Sequence, residues 1–276
     1  MSEKALFDLV AGSATLCLDV GNTTIYAGLY DREAYLRLGF RKTSSGTASA
    51  DEYGVFLRAT LRENGVDPSV VGSIGLSSVV PDSIYSIRRA CEKYFHIDPF
   101  ILRAGVKTGL RIDYKSPQDV GADRIANAVA AVHLFPGKNC VVADFGTATT
   151  IDVVTAERVY LGGAITAGLR ISMEALESRT ARLPVVEIIN QTKACGKTTV
   201  DSIQSGLFLG HVGMVRELVR RISEECFGGK KPIVIGTGGF SPLFAQENIL
   251  DHVLPDLVLT GLYQTMLMNR SPVVAE

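Results

Sequence analysis

The chain has 276 residues, 46% of them hydrophobic and 21% charged, so it is long enough to bury one large core or two modest ones. Its 28 Lys and Arg nearly balance its 29 Asp and Glu, which excludes the overall basic charge of many nucleic-acid-binding domains. No run in the sequence approaches the roughly 18 apolar residues of a membrane span. Five scattered cysteines without a C-x-x-C pair indicate a reducing compartment. We therefore expect a cytoplasmic protein with no nucleic-acid or membrane partner.

The first part of the chain alternates apolar runs with helical spacing. Glu3 and Asp8 interrupt residues 1–14, which argues against a signal peptide, so we interpret them as a short extension. Strands are predicted at 16–20, 25–30, 34–40, 73–81 and 99–104, and helices at 51–64 and 81–95.

The second part repeats this alternation, which predicts the α/β class. A helix is predicted at 122–135, after a loop that contains Pro117. Strands are predicted at 140–145, 150–155, 159–165, 231–239 and 253–261, the last of them ending in a turn. Helices are predicted at 167–178, 243–248 and 262–270, together with a long helical stretch at 201–227 that several glycines break.

Two segments repeat one pattern, in which an Asp ends an apolar strand and a turn of Gly and Thr follows. They span residues 19–24 and 144–150. Glycine lets backbone N–H groups approach phosphate closely, threonine hydroxyls add donors, and the Asp offers oxygens to a hard cation or its water. An Asp at a strand end also commonly forms a turn for structural reasons alone. The repetition favours two phosphate-binding turns, one in each half of a duplicated protein.

Asp123 and Arg124 lie at the start of the helix predicted over 122–135. An Asp there has a structural explanation, because it stabilises the positive end of the helix dipole while Arg124 forms a surface pair. The functional alternative is a carboxylate that accepts the proton of an attacking hydroxyl, with Arg124 binding a substrate carboxylate through two hydrogen bonds. The residues alone leave both interpretations open.

The glycine-rich segment 236–239 forms either a tight strand-to-helix turn or a flat wall for an adenosine ring. It is not a dinucleotide fingerprint, because Ser241 stands where the last glycine is required. The Gly-Lys-Thr at 196–198 is not a Walker loop, because Gln191 stands where the first glycine is required. The four histidines show no metal-ligand spacing, and we interpret them as structural.

Taken together, and in their order along the chain, the motifs resemble those of the type III pantothenate kinase family. The segments that carry the resemblance are 19–28, 77–81, 114–128, 144–154, 162–168, 180–184, 196–206 and 236–239. The resemblance covers nearly everything after residue 14. It implies an α/β fold of two ribonuclease H-like (actin-like ATPase) domains with the nucleotide cleft between them, as in the acetate kinase, sugar kinase, Hsp70 and actin superfamily. We divide the chain into residues 1–118 and 119–276.

The resemblance also implies roles for individual residues. Asp123 matches the proton acceptor, Asp144 the ligand of a monovalent cation, and Asp19 a ligand of Mg²⁺, directly or through water. Contacts with ATP and its phosphates are implied for Asp19, Val20, Gly21, Asn22, Thr23, Thr24, Ile25, Tyr26, Gly146, Thr147, Gly238 and Gly239. Contacts with pantothenate are implied for Tyr114, Gly121, Ala122, Asp123, Arg124 and Thr199. Ala167 and Thr198 replace residues common in the family, Pro and Asn, so we expect local differences in loop geometry.

The implied activity is ATP-dependent phosphorylation of pantothenate to 4′-phosphopantothenate, the first step of coenzyme A biosynthesis. The family also implies Mg²⁺ with ATP, a monovalent K⁺ or NH₄⁺, and a homodimer. Two alternatives stay open: a nucleotide-binding regulator that has lost catalysis, and a kinase of the same superfamily for another small hydroxyl or carboxylate substrate. An apolar stripe in the helix at 201–227 is a candidate interface, although such a stripe more often packs on a core. The stripe consists of Val212, Val215, Leu218, Val219 and Ile222.

Overall fold

Two mixed β-sheets carry the fold in the computed structural model, which describes residues 9–45, 47–180 and 183–270. The first sheet contains β1 (Ala14–Val20), β2 (Thr24–Tyr30), β3 (Leu36–Thr43), β4 (Val71–Ser78) and β5 (Phe100–Ile101). The second contains β6 (Arg111–Ile112), β7 (Cys140–Phe145), β8 (Ala148–Val154), β9 (Val159–Ala167), β10 (Ile233–Thr237) and β11 (His252–Val253). The helices are α1 (Ala50–Glu63), α2 (Pro81–Phe95), α3 (Ala122–Leu134), α4 (Leu169–Arg179), α5 (Thr199–Phe227) and α6 (Leu257–Asn269).

The two sheets share one topology. The first has the order β3-β2-β1-β4-β5, with β1 antiparallel to β2 and parallel to β4. The second has the order β11-β10-β7-β8-β9-β6, with β7 antiparallel to β8 and parallel to β10. Five strands of the second sheet therefore repeat the order and directions of the first, and β6 is an added edge strand. The prediction of an α/β protein with a duplicated, ribonuclease H-like plan is confirmed.

The central strands are apolar because they are covered on both faces, as expected where parallel strands pair. In β1, Leu16 and Leu18 are completely or almost completely buried in the core of the first sheet. In β7, Val141 and Ala143 have the same position in the core of the second sheet. Each core therefore fixes the strand that leads into one of the two candidate phosphate turns.

The chain forms two compact units, one around each sheet. The first consists of residues up to Gly109, Ser116–Ala130 and the chain from Val258 onward, and the second of Leu110–Lys115 and Ala131–Leu257. The sequence suggests one division between residues 118 and 119, whereas each compact unit is built from more than one segment of the chain. The difference arises because α6 returns to the first unit and β6 pairs with β9 in the second.

The glycines predicted to break the helix at 201–227 do not break it. α5 runs continuously over Thr199–Phe227. A Cβ added at Gly206, Gly210 or Gly213 would meet nothing within 4 Å, so these glycines cost helix propensity, about 1 kcal/mol each, without interrupting packing. Glycine ends the helix only at Gly228, which adopts a left-handed C-cap.

Near the carboxyl terminus two predicted elements are wrong. The helix predicted at 243–248 is replaced by a short 3₁₀ turn at Ser241–Phe244. The strand predicted at 253–261 contains only β11, because α6 begins at Leu257. Leu257, Val258 and Leu259 are all buried, so this stretch shows no amphipathic period, and a short apolar run of this kind does not distinguish strand from buried helix. The strand predicted at 99–104 is also shorter, with only β5 paired.

The five cysteines are free thiols, and Cys17, Cys91 and Cys140 are buried. Burial raises the pKa of Cys91 to about 12 and that of Cys140 to about 11, so both behave as small apolar residues. Within the described ranges, none of the helices combines the length and the apolar character needed to cross a bilayer.

α3 and α6 cross in close contact at a single glycine of the first unit. A Cβ on Gly261 would overlap the carbonyl oxygen of Ala126 and approach its Cα to 3.0 Å. Both of these are backbone atoms, which cannot rotate away as a side chain can. Because Asp123 lies in the first turn of α3, this crossing helps to position that carboxylate.

We expect Gly261→Ala to lower the free energy of unfolding by about 1–3 kcal/mol, because overpacking at the backbone outweighs the gain of about 1 kcal/mol in helix propensity. Chemical denaturation monitored by circular dichroism measures the change. Gln264→Ala on the same helix is the control, since Gln264 is only half-buried, and should change stability by less than about 0.5 kcal/mol. An equal effect of the two substitutions would contradict the close crossing.

Candidate active site

The first candidate phosphate turn joins β1 to β2. The strands pair as far as Val20 and Ile25, and the N–H of Gly21 then donates to the carbonyl of Thr24 at 3.0 Å. A Cβ on Gly21 would lie 3.2 Å from that carbonyl oxygen, a tight contact that glycine avoids. Asn22 at the tip is exposed. The turn is therefore a tight glycine turn with an exposed tip, a kind of turn that lets phosphate approach the backbone.

Asp19 precedes this turn on the central strand. It pairs with Tyr26 of β2 on one side and with Ser77 of β4 on the other, and its side chain is half-buried. The guanidinium of Arg41 stacks on the Tyr26 ring, 3.7 Å from the ring centroid. Two neighbouring strands thus hold the half-buried Asp19 in place.

Asp123 lies at the same end of the first sheet as the turn. The N–H of Val79, just after β4, donates to the carbonyl of Val20 at 3.1 Å. Cγ1 of Val79 in turn lies 3.5 Å from the position that a Cβ on Gly121 would occupy. Gly121 accepts the first hydrogen bond of α3, from Ile125 at 3.1 Å. The start of α3, with its carboxylate, is therefore packed beside the end of β1.

The environment of Asp123 makes its carboxylate a stronger base. Burial raises the pKa of Asp123, and the backbone N–H and the charge of Arg124 oppose that rise only in part. The Arg124 N–H donates to Oδ1 of Asp123 at 2.8 Å. A Cβ on Gly121 would overlap the same Oδ1, so the glycine leaves room for this orientation. The side chain of Arg124 is itself 8% exposed, which places a guanidinium in a largely buried position.

The second candidate phosphate turn joins β7 to β8 in the second unit. The N–H of Gly146 donates to the carbonyl of Ala148, two residues on, at 3.1 Å, whereas Gly21 in the first turn donates to Thr24, three residues on. Asp144 is half-buried at the end of β7, and Thr147 is exposed at the tip. The repeated sequence pattern therefore forms two glycine turns, each between paired antiparallel strands, and the second is one residue shorter than the first.

Glycine backbones from two other strands close around the second turn. A Cβ on Gly168, after β9, would overlap the carbonyl of Thr147 and lie 2.6 Å from that of Gly146. A Cβ on Gly238, after β10, would overlap the Asp144 carboxylate and lie 2.7 Å from the carbonyl carbon of Phe145. The turn is thus lined by backbone, which is the surface that a phosphate or a bound cation needs.

The predicted adenosine wall is adjacent to this turn. Gly238 has a φ of +85°, which favours glycine, and its carbonyl accepts from the N–H and the hydroxyl of Ser241 at 3.2 and 2.9 Å. The N–H of Phe240 donates to the carbonyl of Phe145 at 3.1 Å, tying the two segments together. Gly239 is exposed and has open space where a Cβ would lie. A flat ring can approach the backbone at this point.

Tyr114 lies just after β6, in the second unit, and its side chain is partly exposed. Its ring packs on Gly162, where a Cβ would lie 3.0 and 3.1 Å from two ring carbons. It also contacts the ring of Tyr160, with the centroids 6.4 Å apart. Tyr114 is therefore supported by β9.

Thr199 is the first residue of α5 and is exposed. It lines a groove between α4 and α5 together with Ser172, Leu176, Ser202 and other residues of the second unit. The groove combines hydroxyl groups with apolar side chains. Such a surface fits a small molecule that has both polar and apolar parts.

The two departures from the family pattern have local explanations. Thr198 caps α5, accepting from the N–H of Asp201 at 3.1 Å in a capping box, and Thr serves well in that role. Ala167 ends β9, and its carbonyl oxygen lies 3.3 Å from Nε2 of His211.

The site residues are thus distributed over both units, and each unit brings together its own share. The first unit holds the segment 19–26 and Gly121, Ala122, Asp123 and Arg124. The second unit holds Tyr114, Asp144, Gly146, Thr147, Thr199, Gly238 and Gly239.

Our reading of the sequence assigned no individual role to Gly168, Gly162, Tyr160 or Asp152, which line or support these groups. In the sequence these residues look like ordinary members of glycine-containing strands, so no pattern marks them as part of the site. Among the described residues, no cluster of three or more His, Cys, Asp and Glu has the arrangement of a metal site.

Comparison with known proteins agrees with this arrangement of motifs. The profile of the type III pantothenate kinase family matches residues 15–221. Type III pantothenate kinase of Legionella pneumophila (strain Corby) is 51% identical over 256 residues, covering 93% of this chain and 99% of the relative. The enzyme of that name from Elusimicrobium minutum (strain Pei191) is 46% identical over the same shares of both chains.

A solved structure extends the comparison to the fold alone. The ethanolamine utilization protein EutJ from Carboxydothermus hydrogenoformans superposes with a TM-score of 0.51 at 13% identity, covering 94% of this chain and 92% of EutJ. The family profile spans most of the chain, and the two curated relatives align with this chain over nearly their whole length. The chain therefore belongs to the type III pantothenate kinase family.

Proposed function

We propose that this chain transfers the γ-phosphoryl group of ATP to the primary hydroxyl of pantothenate, forming 4′-phosphopantothenate in the first step of coenzyme A biosynthesis. The observation that carries the proposal is the position of Asp123, a carboxylate with a raised pKa packed beside a phosphate-type turn. Membership of the family supports the choice of substrate.

Asp123 accepts the proton of the pantothenate hydroxyl. Phosphoryl transfer passes through a loose transition state, so the carboxylate mainly orients the nucleophile for in-line attack and takes the proton late. The burial that raises the pKa of Asp123 makes it a better proton acceptor than an exposed Asp. Its hydrogen bond from the Arg124 N–H, made through Oδ1, fixes the orientation of the carboxylate.

The two glycine turns hold the polyphosphate. Residues 19–26 of the first unit and Gly146 and Thr147 of the second supply backbone N–H groups and hydroxyls, which bind phosphate without carrying charge themselves. Gly238 and Gly239 supply the surface for the adenosine ring. In this proposal the two units are the two lobes of the kinase, each contributing one turn.

Asp19 holds Mg²⁺, directly or through water, and Asp144 holds a monovalent cation, K⁺ or NH₄⁺. Both sites offer oxygen donors, which hard cations prefer, and Mg²⁺ commonly uses one or two carboxylates, water and substrate phosphates. The scarcity of ligating clusters among the described residues fits such a shared coordination. When bound, the cations neutralise negative charge on the phosphate oxygens.

The remaining residues bind pantothenate. Arg124 pairs with its carboxylate, since a guanidinium can make two parallel hydrogen bonds to one carboxylate. Tyr114, Thr199, Gly121 and Ala122 complete the contacts. A panel of other small alcohols and carboxylates distinguishes this proposal from a related kinase, and nucleotide binding without transfer would indicate a regulator.

The protein in this proposal is a cytoplasmic homodimer. The apolar stripe of α5 is not free for the interface, because Val212 and Val215 lie in the core of the second unit. Another face of the helix exposes Gly206, Gly210 and Gly213, which leave room for a second helix. Because glycine has no side chain, these positions would let the backbone of α5 and that of a partner helix approach closely.

Replacing Asp123 by Asn removes the proton acceptor at nearly constant size. We expect kcat to fall by about 10²–10⁴-fold with little change in the KM for ATP, measured in a coupled assay with ATP, pantothenate, Mg²⁺ and K⁺. Asp98→Asn is the control, because Asp98 forms only a surface ion pair with Arg88, and it should retain wild-type kcat.

The pH profile of the wild type supplies a second check on Asp123. A raised pKa means that the carboxyl group becomes protonated, and so unable to accept a proton, at a higher pH than an ordinary Asp, whose pKa is about 4. As the pH is lowered, activity should therefore begin to decline at a pH above the ordinary Asp pKa of about 4. Undiminished kcat in Asp123→Asn would contradict the assignment.

The cation assignments predict two different dependences. Wild-type activity should require K⁺ or NH₄⁺, and in Asp144→Asn the residual activity should no longer respond to either ion. Asp19→Asn should instead raise the Mg²⁺ concentration needed for half-maximal rate while keeping the response to K⁺. Full wild-type activity in sodium alone would remove Asp144 from this role.

The homodimer predicts a solution mass of twice 29.6 kDa, measured by light scattering after size-exclusion chromatography. Gly210→Glu places a charge on the open face of α5 and should yield a monomer, because a charge buried at an interface without a partner is costly. A wild-type monomer at assay concentrations would contradict the dimer. An unaltered dimer in Gly210→Glu would move the interface elsewhere.

A further inference from the structure

Tyr114 depends on the strand beneath it for its position. The contacts described for its side chain are with two residues of β9, the ring of Tyr160 and the backbone of Gly162. The N–H of Asp113 donates to the carbonyl of Tyr160 at 2.9 Å, which fixes the backbone next to Tyr114. A partly exposed tyrosine just after so short an edge strand would otherwise sample several rotamers.

Tyr160 is anchored in turn by a buried carboxylate. Its hydroxyl donates to Oδ1 of Asp152 at 2.7 Å, and both side chains are fully buried. The hydroxyl of Thr150 donates to the other carboxylate oxygen, Oδ2, at 3.1 Å. Burying a carboxylate is expensive unless it is hydrogen-bonded, and a wholly structural position on β8 would be filled more favourably by an apolar residue.

Two glycines make room for this arrangement. Gly162 has a φ of +101°, and a side chain there would press on the Tyr114 ring. A Cβ on Gly163 would overlap the carbonyl oxygen of Ile151. The pair Gly162–Gly163 therefore lets β9 run close to β8 and lets the Tyr114 ring pack against the β9 backbone.

We propose that Asp152 and Tyr160 are positioning residues for pantothenate binding, acting through Tyr114. Asp152 fixes the Tyr160 hydroxyl, and the Tyr160 ring and the Gly162 backbone then set the orientation of Tyr114. This inference rests on the proposed function, which makes Tyr114 a pantothenate contact. It adds that the affinity for pantothenate depends on a buried tyrosine and carboxylate behind the contact residue.

Tyr160→Phe removes only the hydroxyl that bonds Asp152. We expect the KM for pantothenate to rise about tenfold, while kcat and the KM for ATP change by less than about threefold, because small displacements of a positioning group are amplified at the substrate. The control is Tyr263→Phe, which removes another buried hydroxyl, the one that donates to the Asp31 carbonyl at 3.2 Å. It should leave all three constants unchanged.

A double-mutant cycle separates positioning from general destabilisation. If Tyr160 acts through Tyr114, then adding Tyr160→Phe to Tyr114→Ala should not raise the KM for pantothenate further. Independent, multiplying effects of the two substitutions would overturn the proposal. So would an unchanged KM for pantothenate in Tyr160→Phe.

A second variant covers the case in which Tyr160→Phe fails to fold, which a circular dichroism melt detects. Asp152→Asn keeps the size of the side chain and one acceptor oxygen, and it should raise the same KM selectively. Equal losses in the pantothenate KM, the ATP KM and kcat would instead identify a structural role. Failure of the wild type to phosphorylate pantothenate would overturn the proposed function itself, whereas wild-type turnover with an unaffected Tyr160→Phe variant overturns only this inference.

Discussion

The parallel pairing of β1 with β4 is the constraint on which the first half of the site depends. It brings Val79 next to Val20, and the N–H of Val79 donates to the carbonyl of Val20 at 3.1 Å. This hydrogen bond fixes the end of β1 against the chain that leads into α2. Gly121 packs on Val79, so α3 begins beside the phosphate turn. A carboxylate thus lies near a turn of backbone amides although more than a hundred residues separate them in the chain.

Burial gives Asp123 its chemistry at a cost to stability. Burial raises the pKa of the Asp123 carboxyl because it disfavours the charged form, and the Arg124 N–H and charge offset only part of that penalty. Gly261 on α6 adds a second constraint, since the close crossing holds α3 in place. Strain and desolvation at a site are tolerated when the surrounding packing is strong enough to hold them.

Local signals allowed much of the fold to be predicted. Pro81 starts α2 where its ring suits a first helical turn, and the apolar run of β7 has the predicted bounds 140–145. The start of α6 was missed because Leu257–Leu259 are buried on every side and carry no period. The continuity of α5 was missed because open space around its glycines is a tertiary property.

The site was predictable only in part, for the same physical reason. Asp19 and Asp144 stand out because each belongs to a repeated turn motif, whereas the position of Asp123 at a helix start left a structural and a catalytic role equally open until the resemblance was considered. Tyr160 and Asp152 carry no such signal, since their partnership depends on the register of β8 with β9. Side chains that support a site from behind are fixed by packing, which the sequence does not display.

If Asp123 and the first turn serve one reaction centre, a crystal structure with pantothenate and a non-hydrolysable ATP analogue should show both at work. We expect the primary hydroxyl of pantothenate within hydrogen-bond reach of the Asp123 carboxylate, about 2.6–3.2 Å, with the phosphates on the turns at 19–24 and 144–147. A hydroxyl bound to another group, or phosphates bound away from these turns, would contradict it.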